Sequence, residues 1–379
     1  MVQTMPCSRN GVVETMVEVD DTGLYCPRGG FYIDPWRPAE QAIITHAHAD
    51  HARPGSSRYW AARSSESALR LRLGHDIALT PLEYGERIVF GDVTVSLHPA
   101  GHVLGSAQVR LEADGQVWVV TGDYKRDRDP SCEPFEPVSC DVLVTEATFG
   151  LPVYRWPDPR VLRRDLLSWW RNYPQGPSIL FCYAFGKTQR ILAELSLALE
   201  EEREADVDPA ASPPAASRVT SERPAPSPGT DFRQAAPLPV MLHGASVHLT
   251  EAYRNAGVEM LPTVPASDVP RSDPCSGRLI IAPPSAHRSP WMKRFPRPQT
   301  AFASGWMQIR GNRRRRGYER GFVVSDHIDW SSLIRTIRES GAHTIYVTHG
   351  QGSPLVRYIR EELGLNAWEL STLHEGESE

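Results

Sequence analysis

The chain has 379 residues, of which 40% are apolar and 23% are charged, and its formal net charge is −5. This length suffices for two medium domains, or for one large domain with a second inserted into it. The composition is that of an ordinary soluble globular protein and excludes a basic surface over the whole molecule. Any nucleic-acid binding therefore has to be local.

The cysteine pattern and the N-terminal segment bear on the compartment. Six cysteines, at positions 7, 26, 132, 140, 182 and 275, include no CxxC pair. They predict reduced structural thiols rather than a disulfide scaffold. The N-terminal segment has no apolar signal core, and no apolar run approaches the roughly 18 residues that a membrane helix needs. We therefore expect a soluble, cytoplasmic protein.

The predicted secondary structure changes character along the chain. Up to about residue 125 the sequence indicates short strands and tight turns, at TGLYCPRGGFYIDP, AIITHAHADH, RIVFGDVTVSLHPAGH and AQVRLEADGQVWVVTGDY. From about Asp158 helices and strands alternate. The segment VLRRDLLSWWRNY, with Leu162, Leu166 and Trp169 at helical spacing, precedes the strand SILFCYAF. The helix GKTQRILAELSLALEEE and the strands PVMLHG and RLIIAPP then continue the rhythm of a parallel sheet.

One segment interrupts this alternation, and the chain then returns to its first pattern. Residues 200–239 begin with an acidic run and continue as PAASPPAASRVTSERPAPSPG, which predicts a disordered surface loop. After Gly321 the sequence again indicates strand, helix and strand, so we expect it to complete a domain begun at the N-terminus. The predicted division is a first domain made of residues 1–155 and 321–379, with residues 156–320 as an inserted domain.

Four side chains of the metal-binding type lie within the segment THAHADH, directly after the apolar stretch AII. They are His46, His48, Asp50 and His51. Residues two apart on an extended chain point to the same side, so His46 and His48 can hold one ion. The turn that follows directs Asp50 and His51 elsewhere, which indicates a second ion. The mixture of imidazole and carboxylate suits zinc, with manganese as the alternative.

Three more candidate ligands each follow a predicted strand. His102 lies in PAGHVLGSA, Asp123 ends WVVTGD, and His349 lies in TIYVTHG. A carboxylate in such a position can bridge two cations and hold them roughly 3.5 to 4 Å apart. His349 can complete the shell of the second ion. His98, four residues before His102, is interpreted with the remaining histidines as structural.

The order of these motifs resembles that of a known superfamily. THAHADH, GH at 101–102 and TGD at 121–123 resemble the metal motifs of the metallo-β-lactamase superfamily. TEATFG at 145–150, SDHID at 325–329 and VTHG at 347–350 resemble the extra motifs of its β-CASP branch of nucleases. The resemblance implies an α/β fold, a metallo-β-lactamase αββα sandwich with an inserted β-CASP parallel-sheet domain.

The same resemblance implies a role for each matching position. His46, His48 and His102 would bind one metal; Asp50, His51 and His349 would bind the other; and Asp123 would bridge the two. His327 would be the general acid and Glu146 would orient it, since a neighbouring carboxylate favours the protonated form of a histidine. Asp326 and Asp329 are further candidates for that support. A hydroxide bridging the two cations would attack phosphorus, and His327 would protonate the departing hydroxyl.

A cluster of arginines precedes SDHID in the segment QIRGNRRRRGYERG. Its members are Arg310, Arg313, Arg314, Arg315, Arg316 and Arg320. In a chain of net negative charge this is a local cationic patch, as binding of a phosphate backbone requires. A solvated basic loop is the alternative. Lys187, in FGKTQR, begins a predicted helix after a strand and can also hold a phosphate, although the segment lacks the full P-loop pattern.

The choice between DNA and RNA depends on two conflicting features. LYCPRGGFYIDPWRP, THAHADHARPG, PAGHVLGSAQV and FASGWMQIRG are similar to the bacterial exonucleases associated with DNA ligase, also described as mRNA 3′-end processing factor-like. This similarity implies a DNA exonuclease that acts in repair beside a ligase and a helicase. His349 favours the alternative, an RNA-processing nuclease, because histidine in this motif is typical of the RNA-cutting members.

Two other classes share part of the pattern. A small-ester hydrolase of the glyoxalase II kind would have THAHADH but would not need the insert, the extra motifs or the arginines. A catalytically inactive binding subunit would not need to keep every ligand position filled. We therefore expect a two-metal phosphodiesterase.

Overall fold

The computed structural model describes residues 15–207, 239–309, 317–350 and 352–371. Within these ranges the chain forms three sheets and six α-helices. The first sheet contains β1 (Glu18–Val19), β2 (Leu24–Cys26), β3 (Phe31–Ile33), β4 (Gln41–Ile43), β5 (Arg58–Ala62) and β6 (Leu79–Leu82). The second contains β7 (Arg87–Phe90), β8 (Val93–Pro99), β9 (Ala107–Ala113), β10 (Gln116–Val120), β11 (Val142–Glu146), β18 (Thr344–Thr348) and β19 (Asn366–Glu369). The third contains β12 (Ser178–Phe181), β13 (Val240–Leu242), β14 (Thr263–Pro265), β15 (Leu279–Ala282), β16 (Gln299–Ala303) and β17 (Arg320–Phe322). The helices are α1 (Glu66–Leu73), α2 (Pro159–Arg171), α3 (Lys187–Val207), α4 (Gly244–Asn255), α5 (Trp330–Ser340) and α6 (Gly352–Glu362).

The first two sheets stack face to face. Alternating apolar residues on the strands supply the layer between them, because successive side chains of a strand point to opposite faces. Phe31 and Ile43 of the first sheet lie in one buried cluster with Val95, Val109 and Trp118 of the second. The outer face of the second sheet is covered by α5 and α6. This arrangement is the predicted αββα sandwich.

The second sheet joins the beginning and the end of the described chain. Its order is β19-β18-β11-β10-β9-β8-β7, and β18 pairs in parallel with β11, so that Glu146 lies beside Thr348. The strand before the third sheet and the strand after it are thus neighbours. Because β8, β10, β11 and β18 run in the same direction, their carboxyl ends meet at one edge of the sheet.

The third sheet is entirely parallel, in the order β14-β13-β15-β12-β16-β17. Leu166 of α2, Ile191 of α3 and Tyr253 of α4 lie in one core with Leu180 of β12 and with Ile44, which follows β4 of the first sheet. The insert therefore packs against the sandwich through its helices. The fold class expected from the sequence is confirmed.

Local sequence explains where the main helices begin. Asp158 caps α2 by accepting a hydrogen bond from the Arg160 amide at 2.8 Å. Asp329 caps α5 in the same way, accepting from the Ser332 amide at 2.8 Å. Asp329 therefore begins the helix that follows the SDHID segment, and this cap sets the direction in which the chain leaves it.

Some predicted features meet the limits of the described residues. Helix α3 continues to Val207, so the first part of the predicted loop 200–239 is helical, and residues 208–238 lie outside the described ranges. Strand β17 lies in the third sheet and crosses the predicted boundary between residues 320 and 321. Among the described residues, no helix combines the length and apolar character needed to cross a membrane.

Candidate metal centre and acid pair

The candidate ligands lie together because each one follows a strand at the same edge of the sandwich. The THAHADH segment follows β4, His102 follows β8, Asp123 follows β10 and His349 follows β18. In the turn before Asp123, Gly122 has a φ of +56°, and a Cβ atom there would lie 2.7 Å from the Thr45 side chain. Only glycine fits this close approach, which sets Asp123 against the THAHADH segment.

A first group of ligand atoms comes from His46, His48, His102 and Asp123. One ligand atom from each lies within 4.8 Å of the others. His46 Nε2 is 3.5 Å from Asp123 Oδ2, and His102 Nε2 is 3.8 Å from the same oxygen. His46, His102 and Asp123 are almost completely buried. Three imidazoles and one carboxylate are a donor set that zinc and related divalent cations accept.

A second group shares the same carboxylate. His51, Asp123 and His349 also bring ligand atoms within 4.8 Å of one another. The rings of His51 and His349 are stacked, with centroids 5.4 Å apart. Asp50 is partly exposed, and its Oδ2 lies 3.8 Å from His51 Nε2. Asp123 therefore lies between the two groups, where a bridging ligand belongs.

Hydrogen bonds from the surrounding chain orient the histidine rings. His102 Nδ1 donates to the carbonyl of Asp326 at 2.8 Å, and His48 Nε2 donates to the carbonyl of Phe185 at 3.4 Å. In neutral rings these two nitrogens carry the proton, and the other nitrogen of each ring is unprotonated. The unprotonated Nε2 of His102 and Nδ1 of His48 then face each other at 3.0 Å. Two lone pairs at this distance repel unless a positive charge lies beside both.

Two buried atoms in the same group support the fit. His46 Nε2 and Asp123 Oδ1 are buried and have no hydrogen-bond partner within the described part of the chain. An unsatisfied buried polar atom costs free energy, and a coordinated cation removes that cost. The residues present therefore fit a divalent metal.

The pKa shifts match this interpretation for the first group. Burial lowers the pKa of His46, His48 and His102, since a buried site disfavours the charged ring. For His46 the nearby positive charge of His51 acts in the same direction. These three rings are consequently neutral near pH 7, which is the form that binds metal.

His51 and Asp123 are shifted by each other. Burial acts to lower the pKa of His51, but the carboxylates of Asp123 and Asp34 raise it well above its ordinary value. Burial acts to raise the pKa of Asp123, but the charges of His51 and His327 hold it well below its ordinary value. Asp123 is therefore ionised at neutral pH, and a cation that binds at His51 displaces a proton.

The acid pair adjoins these ligands. His327 Nδ1 lies 3.0 and 3.1 Å from the two carboxylate oxygens of Glu146, which is completely buried at the end of β11. Glu146 Oε1 also accepts the backbone amide of Tyr124 at 2.9 Å, which fixes the carboxylate. The His327 ring is 3.9 Å from Asp123 Oδ2. The pair is thus in position to exchange a proton beside the candidate metal ligands.

A cleft of about 670 Å³ opens onto this site. His48, Asp50, Asp123 and His327 line one side of it. The insert supplies the opposite side, through Tyr183, Phe185, Pro283, Pro284, Ser285 and Tyr318. Arg72 of α1 also lines the cleft and is exposed, and its Nε donates to the carbonyl of Ala47, between the first two histidines.

The predicted nucleic-acid contacts are only partly described. Lys187 lines the cleft wall, but its side chain is completely buried and its Nζ lies 3.5 Å from Asp326 Oδ2. Arg320 lies in β17, over the ring of Phe322. The other predicted arginines, which are Arg310, Arg313, Arg314, Arg315 and Arg316, lie outside the described residues.

The structure adds three residues to the site that sequence reasoning did not select. Asp34 receives hydrogen bonds from the Thr45 amide at 2.7 Å and the Thr45 hydroxyl at 2.5 Å, and its Oδ2 lies 2.7 Å from His51 Nδ1. A signal for it existed, since Asp34 follows β3, the parallel neighbour of β4. Arg72 and the Phe185 carbonyl carried no such signal, because both act through tertiary contacts.

Comparison with known proteins agrees with this architecture. The chain is 28% identical over 350 residues to a protein named "Probable DNA ligase" from Opitutus terrae, covering 91% of the chain and 30% of that protein. It is 30% identical over 193 residues to Ribonuclease TTHA0252 from Thermus thermophilus, covering 43% of the chain and 44% of that protein. The chain thus spans less than half the length of these relatives. No family model matches it.

A solved structure of low sequence similarity shares the fold. A protein of unknown function from Enterococcus faecalis matches with a TM-score of 0.54 at 12% identity, covering 89% of this chain and 80% of that one. Two stacked sheets with ligand groups at one edge define a metallo-β-lactamase sandwich, here with a third, parallel sheet inserted. These relatives are consistent with the metallo-β-lactamase superfamily and its β-CASP branch, which the sequence motifs indicated.

A comparison of two histidines near β8 tests the metal assignment. We expect His102→Ala to lose one of about two bound zinc equivalents, because it removes a ligand of the first group. His98→Ala is the matched control, since His98 contacts Ser96 and Glu136 instead. Elemental analysis of zinc-loaded, desalted protein measures both. Retention of two equivalents by His102→Ala would contradict the assignment.

Proposed function

We propose that the protein is a metal-dependent nuclease that hydrolyses phosphodiester bonds. The observation that carries this proposal is the position of Asp123, which belongs both to the two candidate metal groups and to a third group with Glu146 and His327. The candidate ligands of two cations thus lie around the Asp123 carboxylate at the edge of a cleft, and the candidate proton donor lies there too. Hydrolysis of a phosphodiester needs all of these components.

Two divalent cations, zinc being favoured over manganese, would supply an activated nucleophile and would neutralise charge on the phosphate oxygens. His46, His48 and His102 would hold one cation, Asp50, His51 and His349 the other, and Asp123 both. These ligands follow strands that end at the same edge, so the sandwich sets the distances between them. Electrostatic stabilisation of this kind is usually the largest contribution to such catalysis.

The chain's own contribution to bond cleavage is proton delivery. A hydroxide oxygen adds to phosphorus, the bond to the leaving oxygen breaks, and the leaving oxygen takes up a proton. The proton released when water forms the hydroxide replaces the one that the acid has given. His327 is placed to give that proton, because Glu146 holds its Nδ1 and the ring also lines the cleft. Glu146 acts as a positioning residue, since its carboxylate is fixed by the Tyr124 amide.

The cleft has the composition expected for a polynucleotide. Aromatic and proline side chains of the insert face the metal side, and such surfaces accept stacked bases. Arg72 lines the cleft and bonds the carbonyl of Ala47 within the metal motif, so it suits a phosphate next to the scissile one. Arg320 and the arginines between residues 310 and 316 remain predicted contacts to the backbone of the substrate. Lys187 was predicted with them, but its buried side chain pairs with Asp326 instead.

For the substrate we favour DNA, with exonucleolytic action in repair in the cytoplasm, associated with a ligase and a helicase. The relative that matches 91% of this chain is named a DNA ligase, and the matched part is 30% of that protein. A nuclease segment in one polypeptide with a ligase would process ends before they are sealed. In this proposal residues 1–155 and 321–379 form the catalytic domain, and residues 156–320 form the insert.

An RNA-processing ribonuclease is the second candidate. The observations that favour it are the relative named Ribonuclease TTHA0252 and the position of His349, which is stacked on His51. Histidine here is typical of RNA-cutting members of the branch. In either case the cleavage chemistry at Asp123 and His327 is the same, so the two candidates differ only in the nucleic acid bound.

Matched substrates distinguish these candidates. We expect end-labelled single-stranded DNA to be shortened stepwise by the zinc-loaded protein, and RNA of the same sequence to be cut more slowly. Gel electrophoresis of timed samples measures both. The His46→Ala variant, which lacks one metal ligand and is prepared in the same way, serves as the control for contaminating nucleases. Degradation of RNA alone would show that the DNA assignment is wrong.

Replacement of the proposed acid is expected to slow the chemical step and leave the metals in place. His327→Ala should reduce kcat by roughly 100-fold or more, the usual contribution of a general acid. His343→Ala is the matched control, because His343 is exposed and hydrogen-bonds Thr344. Single-turnover rates with elemental analysis of each variant give the result. An unchanged rate in His327→Ala would remove this histidine from the mechanism.

Arg72 is expected to act on binding more than on chemistry. Arg72→Ala should raise KM for an oligonucleotide and reduce the salt dependence of binding, because one phosphate contact is lost. Arg70→Ala is the matched control on the same helix, since Arg70 pairs with Glu66 rather than lining the cleft. Steady-state kinetics at several salt concentrations measure the effect. Equal KM values for the two variants would exclude the contact.

A further inference from the structure

A short segment of the insert reaches the candidate metal ligands directly. The carbonyl of Phe185, between β12 and α3, accepts a hydrogen bond from His48 Nε2 at 3.4 Å. The ring of Phe185 packs edge-on against the His48 ring, with centroids 5.3 Å apart, and is only 3% exposed. The insert thus sets the orientation of the His48 ring, and the Phe185 carbonyl favours a proton on Nε2, which leaves Nδ1 for a metal.

The same segment reaches a second ligand through the SDHID loop. Lys187 Nζ lies 3.5 Å from Asp326 Oδ2, and Arg190 contacts both Asp326 Oδ1, at 3.4 Å, and the carbonyl of Ser325. The backbone carbonyl of Asp326 in turn accepts the Nδ1 proton of His102 at 2.8 Å. Two cations of α3 thus hold the residue that orients His102.

Because these charged groups are buried, each of them needs its oppositely charged partner. Lys187 and Asp326 are 0% and 2% exposed, and Arg190 is 5% exposed. Arg190 Nε also lies 3.2 Å from Asp129 of the sandwich. Removal of one member of such a network leaves an uncompensated buried charge, so the remaining groups rearrange. A rearrangement here moves the carbonyl that faces His102.

Gly186 allows the segment to come this close. Its φ is +81°, and a Cβ atom would lie 2.4 Å from Val103 Cγ1, in the residue next to His102. Real Cβ atoms essentially never lie that close, so a side chain at this position displaces either the segment or Val103, which is next to the candidate ligand His102. Tyr253 of α4 adds a further contact, as its hydroxyl accepts the Leu104 amide at 3.1 Å.

We propose that residues 185–190 of the insert are positioning residues for the first metal group, so that metal affinity depends on their contact with His48 and with the Asp326 loop. This inference goes beyond hydrolysis and the choice of polymer, but it rests on the proposed metal centre. It gives the insert a role in building the catalytic site in addition to binding substrate. It also gives Lys187 a structural partner in Asp326.

Two glycine substitutions test the proposal. Gly186→Ala should weaken the first metal equivalent by roughly 10- to 100-fold, the usual effect of disturbing the groups that orient metal ligands. Gly257→Ala is the matched control in the same insert, because Gly257 also has a positive φ, +86°, but its Cβ would meet nothing within 4 Å. Competition with a chromophoric zinc chelator measures the affinity of each variant without any assay of activity.

A second-site change should rescue the defect. Truncation of Val103 to alanine leaves only its Cβ, which lies 3.6 Å from the position of the added methyl group. The double variant Gly186→Ala with Val103→Ala should therefore recover most of the zinc affinity that Gly186→Ala loses. Wild-type affinity in Gly186→Ala, an equal loss in Gly257→Ala, or no recovery in the double variant would each overturn the proposal.

Two more variants separate a failure to fold from a failure of the proposal. If Gly186→Ala does not fold, as judged by circular dichroism, Arg190→Lys replaces it, because lysine keeps the charge but cannot bond both Ser325 and Asp326. Weaker zinc binding by roughly tenfold supports the proposal, and unchanged binding overturns it. His46→Ala tests the metal centre itself. If His46→Ala binds zinc as the wild type does, the proposed metal centre is wrong. If His46→Ala loses zinc while Gly186→Ala and Arg190→Lys keep it, only the positioning role of residues 185–190 is wrong.

Discussion

The buried carboxylate of Asp123 is the constraint on which the rest of the site depends. Its Oδ2 lies 3.4 Å from His51, 3.5 Å from His46, 3.8 Å from His102 and 3.9 Å from His327. A carboxylate that is only 5% exposed is costly unless positive charge surrounds it. Histidines contribute that charge in part, and two divalent cations would contribute the rest. The same atom therefore adjoins both the candidate metal ligands and the proposed proton donor.

The sandwich and the insert together enclose the Asp123 carboxylate. Parallel strands end at one edge of the second sheet, and that edge is where loops can place polar side chains without disturbing the apolar layers. The opposite side comes from the insert, whose residues 185–190 contact His48 and the loop of Asp326. The candidate ligands His46, His102 and Asp123 are buried, so electrostatic interactions among them are strong, and the site still opens into the cleft.

Much of this arrangement could be predicted from the sequence, and the failures have physical reasons. The fold class is confirmed, because apolar strands, amphipathic helices and polar residues after strands are local signals. The geometry brings His46, His102 and Asp123 together, as their placement after strands suggested. Helix α1 was missed because ESALRLRL is short and its leucines form no continuous stripe. The burial of Lys187 was not predictable, since its partner Asp326 is distant in sequence and a lone lysine favours water.

Anomalous diffraction from crystals of the zinc-loaded protein, measured on both sides of the zinc edge, locates each bound ion relative to Asp123. We expect two peaks roughly 3.5 to 4 Å apart, with Asp123 between them. One peak should adjoin His46, His48 and His102, and the other should adjoin His51 and His349. A single peak, or two peaks that do not share Asp123, would contradict the two-metal centre and the phosphodiesterase mechanism built on it.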